Sequence, residues 1–122
     1  MGAHGVEIFD DDVAMDVRAT FEEALERGAS VRTATRRVLD EYEEYFDDMD
    51  DGPIVWLALA AVQLEHGALQ PRVRREALAV IATGDTLARW EDAGEDVAAE
   101  RRQVLATLKA RLEAAPTAST SR

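Results

Sequence analysis

The sequence predicts an all-α fold: a compact single-domain bundle of about five helices around a buried central helix at residues 53–66. Three observations carry that expectation. Apolar residues recur at three- and four-residue spacing along most of the chain, and no run shows the two-residue alternation of a half-buried strand. Helix-ending or helix-starting residues stand between those runs, at Gly28, Gly52-Pro53, Gly67, Pro71 and Gly84. Finally, Ile54, Val55, Trp56, Leu57, Leu59, Val62 and Leu64 cover nearly the whole circumference of one helix, so that helix has to be enclosed by the others. With 122 residues the chain is long enough to bury roughly two thirds of its unfolded surface.

Each element has its own local warrant. Asp10, Asp11 and Asp12 supply an N-cap and favourable first-turn charge for a first helix carrying Val13, Val17, Phe21, Ala24 and Leu25, which Gly28 ends. Ser30 caps a second helix with Val31, Ala34, Val38, Tyr42, Tyr45 and Phe46 on one stripe. Asp51, Gly52 and Pro53 start the third, with proline at the first helical position, where its missing N–H does no harm. This helix runs to His66 and stops at Gly67. Pro71 opens a fourth helix bearing Val73, Ala77, Leu78, Val80 and Ile81, and a short helical turn is expected around Trp90. The last helix shows Val97, Val104, Leu105, Leu108 and Leu112. The domain is expected to span residues 1–114, with a non-helical segment at 1–10 whose Val6, Ile8 and Phe9 pack on the central helix. Residues 115–122 have nothing to bury and are expected to form a disordered tail.

Composition narrows the function classes. The absence of cysteine removes disulfides, thiolate metal sites and cysteine nucleophiles, and suits a reducing compartment; with no basic-then-apolar leader at the N-terminus, the expected location is the cytoplasm. The longest apolar run, Ile54 to Val62, is far short of the ~20 residues that a membrane helix needs. Net charge is −11, and all of the excess lies in residues 1–52, where 16 carboxylates face 5 arginines. Such a field repels nucleic acid and membrane phosphates and favours a basic protein partner. Oligomeric state is not legible.

The acids are concentrated at residues 40–51, in DEYEEYFDDMDD. An EF-hand reading fails: with Gly52 as the loop glycine, position three is Met49 and position twelve, which requires a bidentate glutamate, is Ala58. No metal site is therefore expected. Asp50 and Asp51 suit the positive end of the third helix, but Glu43, Glu44, Asp47 and Asp48 fall near the negative end of the second. Arg36 and Arg37 are placed to pair with Asp40 and Glu41 four residues on, which leaves the other acids uncompensated. Arg72, Arg74 and Arg75 sit at the positive, N-terminal end of the fourth helix, the wrong end for cations, so local helix electrostatics explains neither cluster. Helix length then predicts an acidic pole too far from those arginines for direct ion pairs. No catalytic residues and no cofactor are assigned: GASVR at 28–32 breaks the G-x-S-x-G elbow at Arg32, and there is no glycine-rich phosphate loop.

The stretches MGAHG, IFDDDVAMDV, DDGPIVWLALAAVQLEHGAL and ALAVIATGDTLARWED resemble the bacterial domain of unknown function 4259 family, over residues 1 to about 112. The resemblance implies one small domain and no catalytic assignment. It also implies that Gly2, Ala3, Gly5, Phe9, Asp11 and Asp12 belong to a recurrent N-terminal signature, in which this chain departs by having His4 where an aromatic, usually tryptophan, is common.

Two functional expectations follow, and neither requires an enzyme. The first is an interaction module that binds a basic partner through Glu43, Glu44, Asp47, Asp48, Asp50 and Asp51, as an inhibitor, immunity-like protein or adaptor. The alternative is a small ligand-binding domain or enzyme with a site near His4, Asp11, Asp12, Trp56 and Trp90, although both tryptophans occupy positions where a core role is commoner.

Overall fold

Asp11 sets where the first helix begins. Its carboxylate accepts the backbone N–H groups of Val13 at 2.8 Å and Ala14 at 3.3 Å, and helix α1 runs Asp12–Glu26. This is one end of a computed structural model that describes residues 8–47, 51–83 and 94–116. At the other end of α1, Gly28 takes a left-handed φ of 96°, the Ala29 N–H reaches the Ala24 carbonyl and the Gly28 N–H that of Leu25. That is a Schellman stop, and it uses glycine because a side chain would strain the left-handed backbone. Ser30 then accepts the Thr33 N–H at 3.1 Å and starts α2, Val31–Glu41.

Here the structure departs from the expected single stripe. The α-helix ends at Glu41, and Glu43–Asp47 forms a separate 3-10 segment in which the Tyr45 N–H bonds to the Tyr42 carbonyl. Tyr42 is held inside: its hydroxyl meets Thr20 Oγ1 at 3.0 Å, and Tyr45 sets its ring edgewise at 5.3 Å. The tighter winding of a 3-10 helix turns the next side chains off the α2 stripe. Phe46 is thereby carried onto Trp56 of the third helix, ring centroids 5.5 Å apart.

Helix α3, Asp51–Glu65, begins two residues before the expected proline start and ends one before His66, within the usual uncertainty of helix ends. Gly52 is inside it for a packing reason. A Cβ there would stand 3.1 Å from the Tyr45 carbonyl oxygen and 3.2 Å from the Phe46 Cα, so two stretches of backbone touch. Ile54, Val55, Leu57, Leu59 and Val62 are all buried, as an apolar circumference requires. Packed around them are α1, α4 (Pro71–Thr83) and α5 (Glu95–Ala114), which brings in Ala98, Leu105, Leu108 and Leu112. The described residues are helical and contain no strand. Ile8–Asp10, expected to be non-helical, forms a 3-10 turn against α1 and α3; Ile8 is 9% exposed and Phe9 half-buried. Val6, the turn around Trp90 and the tail beyond Pro116 lie outside the described residues.

The turn from α3 to α4 repeats the Schellman stop at Gly67, φ 65°, and adds a polar clamp. Gln63 is wholly buried on an otherwise apolar helix face, so each of its amide atoms has to find a partner. Its Oε1 accepts the Gln70 N–H at 3.0 Å, and its Nε2 donates to Gln70 Oε1 at 3.0 Å and to Thr35 Oγ1 at 2.9 Å. Thr35 Oγ1 also lies 2.6 Å from Gln70 Oε1 and 2.7 Å from the Val31 carbonyl, with one proton to share between them. One side chain thus ties α2, α3 and the start of α4 together. Replacing Gln63 by methionine keeps the volume and leaves these partners unsatisfied; stability should fall by about 1–3 kcal/mol in urea unfolding.

Candidate functional site

The acidic segment is built as an exposed ledge. Glu43, Glu44 and Asp47 point to solvent, and among the described residues none has a cation within 4.0 Å. Because α2 stops at Glu41, its unfavourable negative end acts on Asp40 and Glu41 directly, and the other acids stand just beyond it. The pairs expected from Arg36 to Asp40 and from Arg37 to Glu41 do not form. Asp48 and Asp50, and the side chain of Asp51, lie outside the described residues.

Beside the ledge opens a cleft of about 1230 Å³ between α2 and α4, two helices held near one another at the Gln63 clamp but not packed along their lengths. Val31, Leu39, Phe46, Trp56 and Val73 give it an apolar floor. Among the described residues its charged lining is Arg32 and Arg36 from α2, Arg72 and Arg75 from α4, and one carboxylate, Asp40. None of the four arginines has a carboxylate within 4.0 Å among the described residues. The Arg72 guanidinium lies 5.5 Å from the Trp56 ring centroid, a cation–π placement that fixes its aim. Arg74 turns away and donates to the Ala115 carbonyl at 3.2 Å, where it caps the negative end of α5.

These positions amend the expected polarity. Among the described residues no ion pair joins Glu43, Glu44 or Asp47 to Arg72, Arg74 or Arg75. The charges are nevertheless not confined to opposite ends, because Arg72 reaches back along α3 to Trp56, whose ring touches Phe46 of the acidic segment. Acidic ledge and arginine cleft share a border. Trp56, expected in the core, is half-buried on the cleft floor. The cleft's arginines left a trace in the sequence, Arg32 with Arg36 at i,i+4 and Arg72 with Arg75 at i,i+3, but a helical spacing does not show that two helices face one another.

Of the alternative set His4, Asp11, Asp12, Trp56 and Trp90, the three described residues, Asp11, Asp12 and Trp56, are not brought together. Asp11 spends its carboxylate on the α1 cap, Asp12 is exposed in the first turn of α1, and neither lines the cleft of Trp56. His4 and Trp90 lie outside the described residues. His66 Nε2 is 3.0 Å from Glu22 Oε2, and Arg18 bridges Glu65 at 2.9 Å and Glu22 at 3.6 Å, so α1 is laced to the end of α3. Among the described residues no group of three or more histidine, aspartate or glutamate side chains is placed to hold a metal ion, and no helix is long and apolar enough to cross a membrane.

A small all-α bundle with an acidic ledge beside an arginine-lined cleft is the class of protein this geometry defines. The chain belongs to the family described as Domain of unknown function (DUF4259), whose family model matches residues 2–120. No curated protein and no solved structure matches it.

Two measurements test the local build. Burial raises the Tyr42 phenol above its ordinary value of 10.0, the Thr20 hydrogen bond works against that, and Glu41, Asp16 and Tyr45 push the same way as burial. A raised acid stays neutral in the fold while the unfolded chain ionises, so Tyr42's contribution to stability is complete below pH ~10 and declines as pH rises through the folded value. Ultraviolet titration should show one phenol ionising late, and Tyr42→Phe should flatten the alkaline loss of stability. Gly52→Val should destabilise by about 1–3 kcal/mol through overpacking and increase the exposure of Trp56 as Phe46 is displaced, read from its fluorescence and acrylamide quenching.

Proposed function

We propose that the protein is an interaction module whose acidic segment, Glu43, Glu44 and Asp47 with the adjoining Asp48, Asp50 and Asp51, docks a basic protein surface in an inhibitor, immunity-like or adaptor role. The observation that supports this reading is the ledge itself: three exposed carboxylates, side by side, with no cation of the described chain drawn in to neutralise them although arginines border the adjacent cleft. Carboxylates left uncompensated beside a helix C-terminus are held at an electrostatic cost that a cationic partner would offset. The cysteine-free composition fits a reducing compartment such as the cytoplasm. Interaction through such a ledge has a defined signature. Affinity capture with the wild-type protein should retain a basic protein at low salt and release it as ionic strength rises past the point where the Debye length falls below ~8 Å. The variant E43Q/E44Q/D47N/D48N should retain it at least tenfold less. Undiminished capture by that variant would remove the acidic segment from the interface.

A further inference from the structure

We infer that the cleft between α2 and α4 is a binding site for a small organic polyphosphate of the nucleoside diphosphate kind, a concentrated multiple anion attached to an apolar planar body. This goes beyond the docking role of the acidic segment and rests on different residues.

Four facts converge on that class. The cleft, at about 1230 Å³, has room for such a molecule and for side-chain adjustment around it, ligand pockets commonly measuring ~300–1000 Å³. Among the described residues its lining sets Arg32, Arg36, Arg72 and Arg75 against Asp40, in a chain whose net charge is −11. All four guanidiniums are free of carboxylates among the described residues, even though three unpaired acids stand on the neighbouring ledge. Two of the four, Arg32 and Arg72, also occupy the first turns of their helices, where the positive helix end repels them. An anion seated in the cleft would relieve both the mutual repulsion of the arginines and the repulsion from the helix ends.

Spacing selects a compact anion over an extended one. Arg32 and Arg36 are one turn apart, about 6 Å along α2, and Arg72 and Arg75 are about 4.5 Å apart along α4. Two pairs lining one cleft, one pair from each helix, suit two linked phosphates, each able to take the planar bidentate fork of arginine. Arg72 is already aimed by the Trp56 ring, which lowers the entropy lost when it binds. The floor of Val31, Leu39, Phe46 and Val73 then offers an apolar seat to the rest of the ligand. Asp40 in the same lining disfavours a phosphate beside it and suits the uncharged, donor-bearing part of the molecule.

Isothermal titration of the full chain with ADP and with inorganic pyrophosphate tests this, with Trp56 fluorescence as a second readout. ADP should bind, pyrophosphate should bind at least fivefold more weakly, and both affinities should fall as salt rises. Arg36→Gln with Arg72→Gln should weaken ADP at least tenfold while the circular dichroism spectrum and melting temperature hold, since both side chains are exposed. Arg27→Gln, on a side chain outside the cleft, should change nothing. If the double variant unfolds, Arg36→Lys and Arg72→Lys singly retain the charge, remove the fork and should each weaken binding several-fold. The inference is overturned if neither phosphate binds, if ADP binds the double variant as it binds the wild type, or if pyrophosphate equals ADP. Binding of a glutamate-rich hexapeptide in place of ADP would also overturn it and assign the cleft to an acidic polypeptide.

Discussion

The molecule depends on how it buries one amide. Helix α3 is apolar on every side, so three other helices and the 3-10 segments can close over it in many rotations at similar hydrophobic gain. Gln63 removes that freedom. A buried carboxamide left without partners would cost more than any one apolar contact returns, so the chain has to present Thr35 and the Gln70 backbone at fixed places. Hydrophobic burial supplies the driving force for closure, and Gln63 selects among the closures.

The cleft follows from that selection. With α2 pinned at Thr35 and α4 at its start by the clamp, the two helices leave α3 uncovered between them, and the uncovered stretch is the half-buried Trp56 with Phe46 beside it. A central helix with no charge on its middle turns also forces charge outward onto its neighbours. Arginines collect on α2 and α4, and carboxylates collect beyond the end of α2. Few of them cancel. Among the described residues, apart from an exposed Arg27–Glu23 pair within α1, the ion pairs gather around Arg18 and Glu22 where α1 crosses the end of α3, and at partial exposure each contributes at most ~1 kcal/mol.

Much of the fold was legible because it follows from local rules. The caps at Asp11 and Ser30, the stops at Gly28 and Gly67, and the enclosed Ile54–Leu64 run each depend on residues within one turn of each other, and periodicity exposes them. What escaped was long-range. The split at Tyr42 comes from its bond to Thr20, 22 residues earlier, and the tightness at Gly52 comes from backbone it meets only after the chain has folded. Gly52 reads locally as a helix start, which it nearly is, with no sign of its closer duty. The acidic segment was visible as composition, whereas the arginine cleft required knowing that α2 and α4 face each other, and that is decided by a glutamine in α3. Asp11 and Asp12 drew interest as part of a recurrent signature; for Asp11, a helix cap is a sufficient physical reason to recur.

The backbone contact at Gly52 makes the acidic ledge and the cleft parts of one lever. Glu43, Glu44 and Asp47 ride on the same short segment as Phe46, that segment rests on α3 with no compressible side chain between, and Phe46 leans on the ring that aims Arg72. The ledge and the cleft floor are thus joined by one unbroken run of contacts, from the Tyr45–Phe46 backbone on Gly52 through Trp56 to Arg72. If occupancy of either face shifts the segment, thermodynamic reciprocity makes the change in affinity equal in both directions, so a cation-bearing surface outside and an anion inside would each read the other's presence through three residues of backbone.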